Sequence, residues 1–207
     1  GMQDVAQYST LNVSSVRTRV GAQLFHTFRN EDSFTLGAVW EPQLPLRGEY
    51  SVIETSWADT IQTGGAAMQV PMQWGVGASY TWQQRLTVAF DYTWQGWGNV
   101  QTFSNQTLRS RSIYAVGAEY RHNPQGRSYV ERVCWRVGAK LTDPYQQNVN
   151  GKEIKVSLGV GFPLRNAGTI FNTTLEYGHR GALLKEDYLK LTINAAICEN
   201  WFFKRKL

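Results

Sequence analysis

Cysteine is nearly absent from the 207 residues: only Cys134 and Cys198 occur, too few and too far apart for a CxxC metal knuckle or a disulfide framework. Histidine is almost as scarce. His26, His122 and His179 are the full set, and none stands in a metal spacing such as HExxH. No GxSxG elbow, Walker loop or GxGxxG opening a helix is present, so the nucleophile and phosphate cradle that such enzymes need are missing. No catalytic activity, cofactor or metal is expected. No apolar run approaches the roughly 18 residues of a membrane-crossing helix, and the opening GMQDVAQYSTLNVSS lacks the charged-then-apolar order of a signal peptide.

Nor does one sign of charge dominate. The formal net charge is +5, from 21 Lys and Arg against 16 Asp and Glu. Arg17, Arg19, Arg85, Arg109, Arg111, Arg132 and Arg136 are scattered rather than striped, and the one basic run is Lys204-Arg205-Lys206. Without a basic patch on a known module, nucleic acid is not expected as a partner. With 6 Pro and 19 Gly the chain is not disorder-like, and no internal boundary divides it, so residues 1–207 read as one domain.

Aromatic rings and alternation are what the sequence has in quantity: 8 Trp, 10 Tyr and 9 Phe. In VPMQWGVGASYTWQQRLTVAFDYTWQGW, Val70 to Trp97, large apolar residues take every second place on both sides of Gln83-Gln84-Arg85. Period two is the mark of a strand with two different faces. The same beat runs through Val20 to Phe28, Phe34 to Trp40, Tyr114 to Tyr120, Val133 to Leu141, Ile154 to Phe162, Phe171 to Tyr177 and Leu189 to Ile197. That gives about nine strands, close to the roughly 9 to 11 residues of a tilted membrane-spanning strand. Mean hydropathy of −0.38 does not argue otherwise, because a barrel alternates apolar with polar residues and averages out.

Connections alternate in length. Arg29 to Asp32, Gln83 to Arg85 and Arg165 to Gly168 are short, with His122 to Ser128 somewhat longer, whereas Thr55 to Gln69, Gly96 to Ser110, Thr142 to Gly151 and His179 to Glu186 read as long. Outer-membrane barrels have short periplasmic turns and long outer loops. The two faces differ as a barrel wall requires: Asp91, Glu119, Arg132, Arg136, Lys140, Lys155, Glu176 and Lys190 fall on the non-aromatic face, where a lumen would spare them the roughly 2–4 kcal/mol cost of a charge in hydrocarbon. The basic members of this set are candidates to meet a carboxylate, with ion pairing to the acidic members as the alternative. Trp74, Trp82, Trp94, Trp97, Tyr120, Trp135 and Tyr177, with Trp201, are expected to face lipid or form interfacial girdles. The competing fold is a soluble sandwich or lipocalin-like barrel whose core takes the apolar face. Cys134 and Cys198 lie on strands three apart, about 14 Å at normal spacing and beyond the roughly 7 Å limit for a bridge, so free thiols are expected.

The segments RTRVGAQLFHTFRNEDSFTLGAVWEP, VPMQWGVGASYTWQQRLTVAFDYTWQGW, IKVSLGVGFPLRNAGTIFNTTLEYGHRG and EDYLKLTINAAICENWFFKRKL resemble the C-terminal part of the FadL/TodX family of outer-membrane transporters, the last two most closely its Bacteroidetes branch. The resemblance implies a 14-stranded antiparallel barrel in the outer membrane of a Gram-negative bacterium, passing long-chain fatty acids or other hydrophobic small molecules. It spans essentially this whole chain and about two-thirds of a full family member. Tyr92-Thr93-Trp94-Gln95-Gly96-Trp97 matches a family strand end and marks an outer rim. Nine strands is an odd count where single-chain bacterial barrels are even, and by the family's pattern the hatch, the early strands and the signal peptide would lie upstream. Expected partners are hydrophobic small molecules, outer-membrane lipid and, during biogenesis, the barrel-assembly machinery. The usual insertion signal ends in a ring, whereas here Trp201, Phe202 and Phe203 precede a basic tail. A family-shaped barrel serving as a scaffold or in secretion, without transport, is the alternative function.

Overall fold

The computed structural model describes residues 6–55, 60–100, 107–123, 126–147, 151–164, 169–181 and 185–197. The strands are β1 (Ala6–Ser14), β2 (Val20–Thr27), β3 (Ser33–Glu41), β4 (Leu44–Thr55), β5 (Thr60–Val70), β6 (Gln73–Trp82), β7 (Leu86–Gln95), β8 (Arg111–Arg121), β9 (Cys134–Thr142), β10 (Glu153–Pro163), β11 (Ile170–Gly181) and β12 (Lys185–Ala196). A 3-10 turn at Trp97–Asn99 and one helical turn, α1 (Tyr129–Arg132), complete the elements. Among the described residues no helix is long and apolar enough to cross a membrane.

Nine strands form one antiparallel sheet in the order β12-β11-β10-β9-β8-β7-β6-β3-β2, and they are the nine that the alternation picks out. The turns fit the strand twist. At Gln83 and Gln84 φ is 47° and 56°, the primed-turn geometry that matches two twisted strands, and the Arg85 N–H closes it on the Trp82 carbonyl at 2.9 Å. Between β2 and β3, Glu31 takes φ 66°, while the Phe28 N–H reaches the Asp32 carbonyl at 2.8 Å.

The other three strands form a second sheet, β1-β4-β5. Pro42-Gln43 alone separates β3 from β4, and Pro71-Met72 alone separates β5 from β6. Proline cannot donate to a ladder and breaks it at these points. The second sheet therefore continues three strands of the first past a bend, and the 12 residues of β4 reach roughly 40 Å at about 3.4 Å each. The bend is pinned by Ser15 Oγ donating to the Pro45 carbonyl at 3.2 Å and by Gln43 Nε2 donating to Gln69 Oε1 at 2.7 Å and the Asn99 carbonyl at 3.1 Å.

Two expected connections are corrected here. Thr55 to Gln69 is mostly β5, paired with β4 from Leu44↔Val70 to Glu54↔Thr60; Gly64-Gly65-Ala66-Ala67 carries no large alternating side chains, so nothing in the pattern marked a strand. His179 to Glu186 is not a long loop either, because β11 and β12 stay in register to Gly181↔Lys185. Strand β6 begins at Gln73 rather than Val70, since Pro71 intervenes.

Among the described residues nothing packs over the apolar face. Trp74 is 36% exposed, Val88 45%, Leu158 63% and Ile193 71%, and the buried hydrophobic residues among those described are Val133 and Cys134. A soluble sandwich would bury that face in its core, whereas here its large apolar side chains are exposed. In β10 the apolar Ile154, Val156, Leu158 and Phe162 are exposed, while Glu153, Lys155 and Ser157 are half-buried and Gly159 and Gly161 buried. The sheet curls around its polar side.

Candidate functional site

The polar face carries the chemistry, and strand register decides which of its groups meet. Glu119 of β8 lies opposite Arg136 of β9. Its carboxylate accepts from Arg136 Nε at 2.8 Å and from Arg121 Nη2 at 2.9 Å, and Arg136 Nη1 donates onward to Asn172 Oδ1 at 2.6 Å. Cys134, a buried free thiol, lies in the same corner. Cys198, Trp201 and the basic run lie outside the described residues.

A second group spans β10 to β12. Lys155 Nζ is 3.1 Å and Arg180 Nη2 3.2 Å from Glu153. Tyr188 lies over Gly178 with no room between them for a Cβ; its hydroxyl donates to Glu176 at 3.1 Å, and Lys155 Nζ is 5.7 Å from its ring centroid. Gly178→Ala is expected to push the ring away and lower stability by about 1–3 kcal/mol, the usual cost of overpacking. Gly37→Ala, where the nearest atom to a new Cβ is 4.0 Å away, is expected to leave the urea midpoint unchanged within error.

At the end with the longer connections, Arg17 and Arg19, just before β2, both close on buried Glu41 at the end of β3. Along the same rim, Gln95 Nε2 donates to Gln73 at 2.5 Å while Gln95 Oε1 accepts from Trp97 Nε1 at 2.9 Å and Arg111 Nε at 2.6 Å. At the opposite end, buried Asp32 joins two turns. Its carboxylate accepts from the Tyr80 hydroxyl at 2.7 Å, the Gln83 N–H at 2.9 Å and Asn30 Nδ2 at 2.6 Å. The hydrogen bond from Tyr80, then that from Gln83, holds this carboxyl below its ordinary value.

Between these ends, β2, β3, β6 and β7 floor a groove of about 630 Å³ with Gly21, Gly37, Gly75 and Gly77, and the Asp91 carboxylate lies against Gly77. The small residues leave space where a larger side chain would fill it.

Of the residues proposed from sequence, Asp91, Glu119, Arg136, Lys140, Lys155, Glu176 and Lys190 all lie on this face by register, with Lys140 opposite Lys155 and Glu176 opposite Lys190. They do not converge on one point: Arg136 is held by Glu119 and Lys155 by Glu153. Arg132 is corrected. It ends α1 instead of lying on a strand, and its guanidinium lies 5.8 Å from the Tyr129 ring centroid, because β9 starts only at Cys134. Trp74, Trp82, Tyr120, Trp135 and Tyr177 are exposed on the apolar face, and Trp94 shares it, stacked on Trp74 with centroids 6.4 Å apart. Trp97 does not. It sits in the 3-10 turn, bonded to Gln95 and packed on Tyr145 at 5.5 Å, which makes it a rim residue.

Asp32, Glu41 and the glutamine chain were missed. Their signal is positional: Glu41, Gln73, Gln95 and Arg111 face one another across four strands, which only a register reveals. Among the described residues no three His, Cys, Asp or Glu side chains converge as metal ligands would.

No curated protein matches the chain by sequence. A model of the BamG family matches residues 46–207, a stretch running from β4 through the whole of β6 to β12. On that match the chain belongs to the BamG family, and it is an outer-membrane-associated protein of the Gram-negative envelope.

Proposed function

We propose that this chain is a membrane-embedded β-wall that works alongside the barrel-assembly machinery in outer-membrane biogenesis, as a scaffold and not as a catalyst. The observation that carries the reading is the combination of BamG membership with a sheet whose bulky face is bare and whose polar face is tied into internal ion pairs. Such a face is built to hold shape: paired charges need no ligand, and a bare apolar face needs acyl chains around it. The test is affinity isolation of the chromosomally tagged protein from detergent-solubilised outer membranes. Recovery of the assembly-machinery subunits in stoichiometric yield is expected; a protein that purifies alone at every detergent strength overturns the reading.

A second reading, transport of fatty acids or other hydrophobic small molecules, is favoured by the FadL/TodX-like motifs and by the groove at Asp91. On that reading Lys140 and Lys190, exposed on the polar face, are the cations placed to meet a carboxylate. Unchanged fatty-acid uptake after Lys140→Ala with Lys190→Ala removes their role.

A further inference from the structure

At the end of the wall with the longer connections, two of those connections lean the same way. Gln95 and Arg111 stand on the polar face, joined through the register to Gln73 and Glu41, and the Trp97 indole donates to Gln95 Oε1. That bond draws the ring over the polar side. Tyr145 would share the apolar side if the alternation from Leu141 ran on, yet past Pro144 its ring centroid lies 5.3 Å from the Arg111 guanidinium carbon and 5.5 Å from that of Trp97. It has crossed to the polar side.

Further contacts tie the two connections to each other and to the bend after β3. Leu108 bridges to Gln146, the Arg109 N–H donates to the Tyr145 carbonyl at 2.8 Å, and Arg109 Nε donates to the Pro144 carbonyl at 3.2 Å. On the other side Gln43 Nε2 reaches the Asn99 carbonyl of the 3-10 turn. The chain of contacts therefore runs from the end of β3 to the end of β9, past β6, β7 and β8 in the order of the sheet. Four gaps of about 4.8 Å make that roughly 19 Å. The groove begins just inside it: Gly75 and Thr93 line the groove two residues from Gln73 and Gln95 on the same face, about 7 Å away.

We propose that Trp97 and Tyr145 form a latch across the outer end of the polar side, and that solutes reach the groove from that end only when the 3-10 turn lifts. The inference rests on the membrane-wall reading, which makes this end the outer one. The strand ladders do not put the rings there: β7 ends at Gln95 and β9 at Thr142, so each connection could equally project away from the wall. Side-chain contacts turn them inward instead. Trp97 supplies one hydrogen bond and one ring pair to the closed position, and losing both lets the turn open about tenfold more often.

The test follows the natural gene product in intact cells carrying Thr93→Cys, treated with a charged maleimide too large to pass porins. Labelling is read by mass spectrometry on the peptide that holds position 93, so the native thiols do not interfere. Val16→Cys, in the β1–β2 connector where Val16 is 82% exposed, reports delivery of the reagent. With the latch intact, position 93 is expected to react far more slowly than position 16. Trp97→Ala and Tyr145→Ala should each raise the rate at position 93 about tenfold and leave position 16 unchanged, while Trp97→Phe, which keeps the ring pair, should raise it less. Thr93→Cys reacting as fast as Val16→Cys in the otherwise native chain overturns the proposal. So does an unchanged rate in both alanine variants when their heat-modifiable gel mobility is native. Recovery of the protein outside the membrane fraction would instead sink the wall reading, and the latch with it, which keeps the two failures apart.

Discussion

Leu158→Arg and Ile193→Arg are expected to cut the yield of folded protein in the outer membrane sharply, whereas Thr192→Arg, one residue from Ile193, is tolerated. Leu158 and Ile193 are among the most exposed apolar residues of the wall, at 63% and 71%. In a soluble protein an exposed position takes arginine within about 0.5 kcal/mol. On a lipid-facing strand near the bilayer midplane the same change costs about 2–4 kcal/mol, or roughly 30- to 900-fold in the folded-to-unfolded ratio at 1.36 kcal/mol per factor of ten. Thr192 shares the polar face with Lys190, Asn194 and its register partner Thr174, where a guanidinium stays solvated. Urea unfolding in lipid vesicles, with heat-modifiable gel mobility as the fold readout, measures all three. Equal tolerance at Ile193 and Thr192 would mean that the bare face does not meet hydrocarbon.

Asp32→Ala is expected to give the largest loss among substitutions in the turns. One carboxylate binds the Tyr80 hydroxyl, the Gln83 N–H and Asn30, so it ties the β2–β3 turn to β6 and to the β6–β7 turn. The second turn is the one that needs help. Both of its central residues are glutamines at positive φ, where glycine or asparagine is the usual choice, and removal of the acceptor leaves the Gln83 N–H without its partner. The pH dependence has a definite sign. Asp32 is held below its ordinary 3.8, so the folded chain binds its proton less readily than the unfolded chain. Its contribution is complete above the ordinary value and drains away as pH falls through the lower folded value. The unfolding midpoint of the native chain should therefore fall on acidification in that range, and Asp32→Asn should flatten this part of the curve. An identical acid limb in Asp32→Asn would show that the carboxylate does not clamp the turns.

Much of the architecture was legible because two-faced strands have a period of two. Trp74, Val76, Ala78, Tyr80 and Trp82 set the face of β6, and Leu86 to Trp94 set that of β7, without reference to any neighbour. The extension β1-β4-β5 was not legible: Gly64 to Ala67 offers no contrast between faces, and its pairing with β4 rests on backbone hydrogen bonds that any residue but proline can make. Arg132 and Trp97 were assigned to faces by counting alternate positions through places where the chain had already left the strand.

Sequence alone therefore determined which side chains share a face, since alternation is a local property of each strand. It also placed Arg136, Glu119, Lys155 and Glu176 together on the polar side. Only the tertiary structure decided which of them meet: Arg136 with Glu119 and Asn172, Lys155 with Glu153, Asp32 with a turn 51 residues away. Those contacts depend on the stagger between strands distant in sequence, and a one-residue slip would send every one of these side chains to the opposite face.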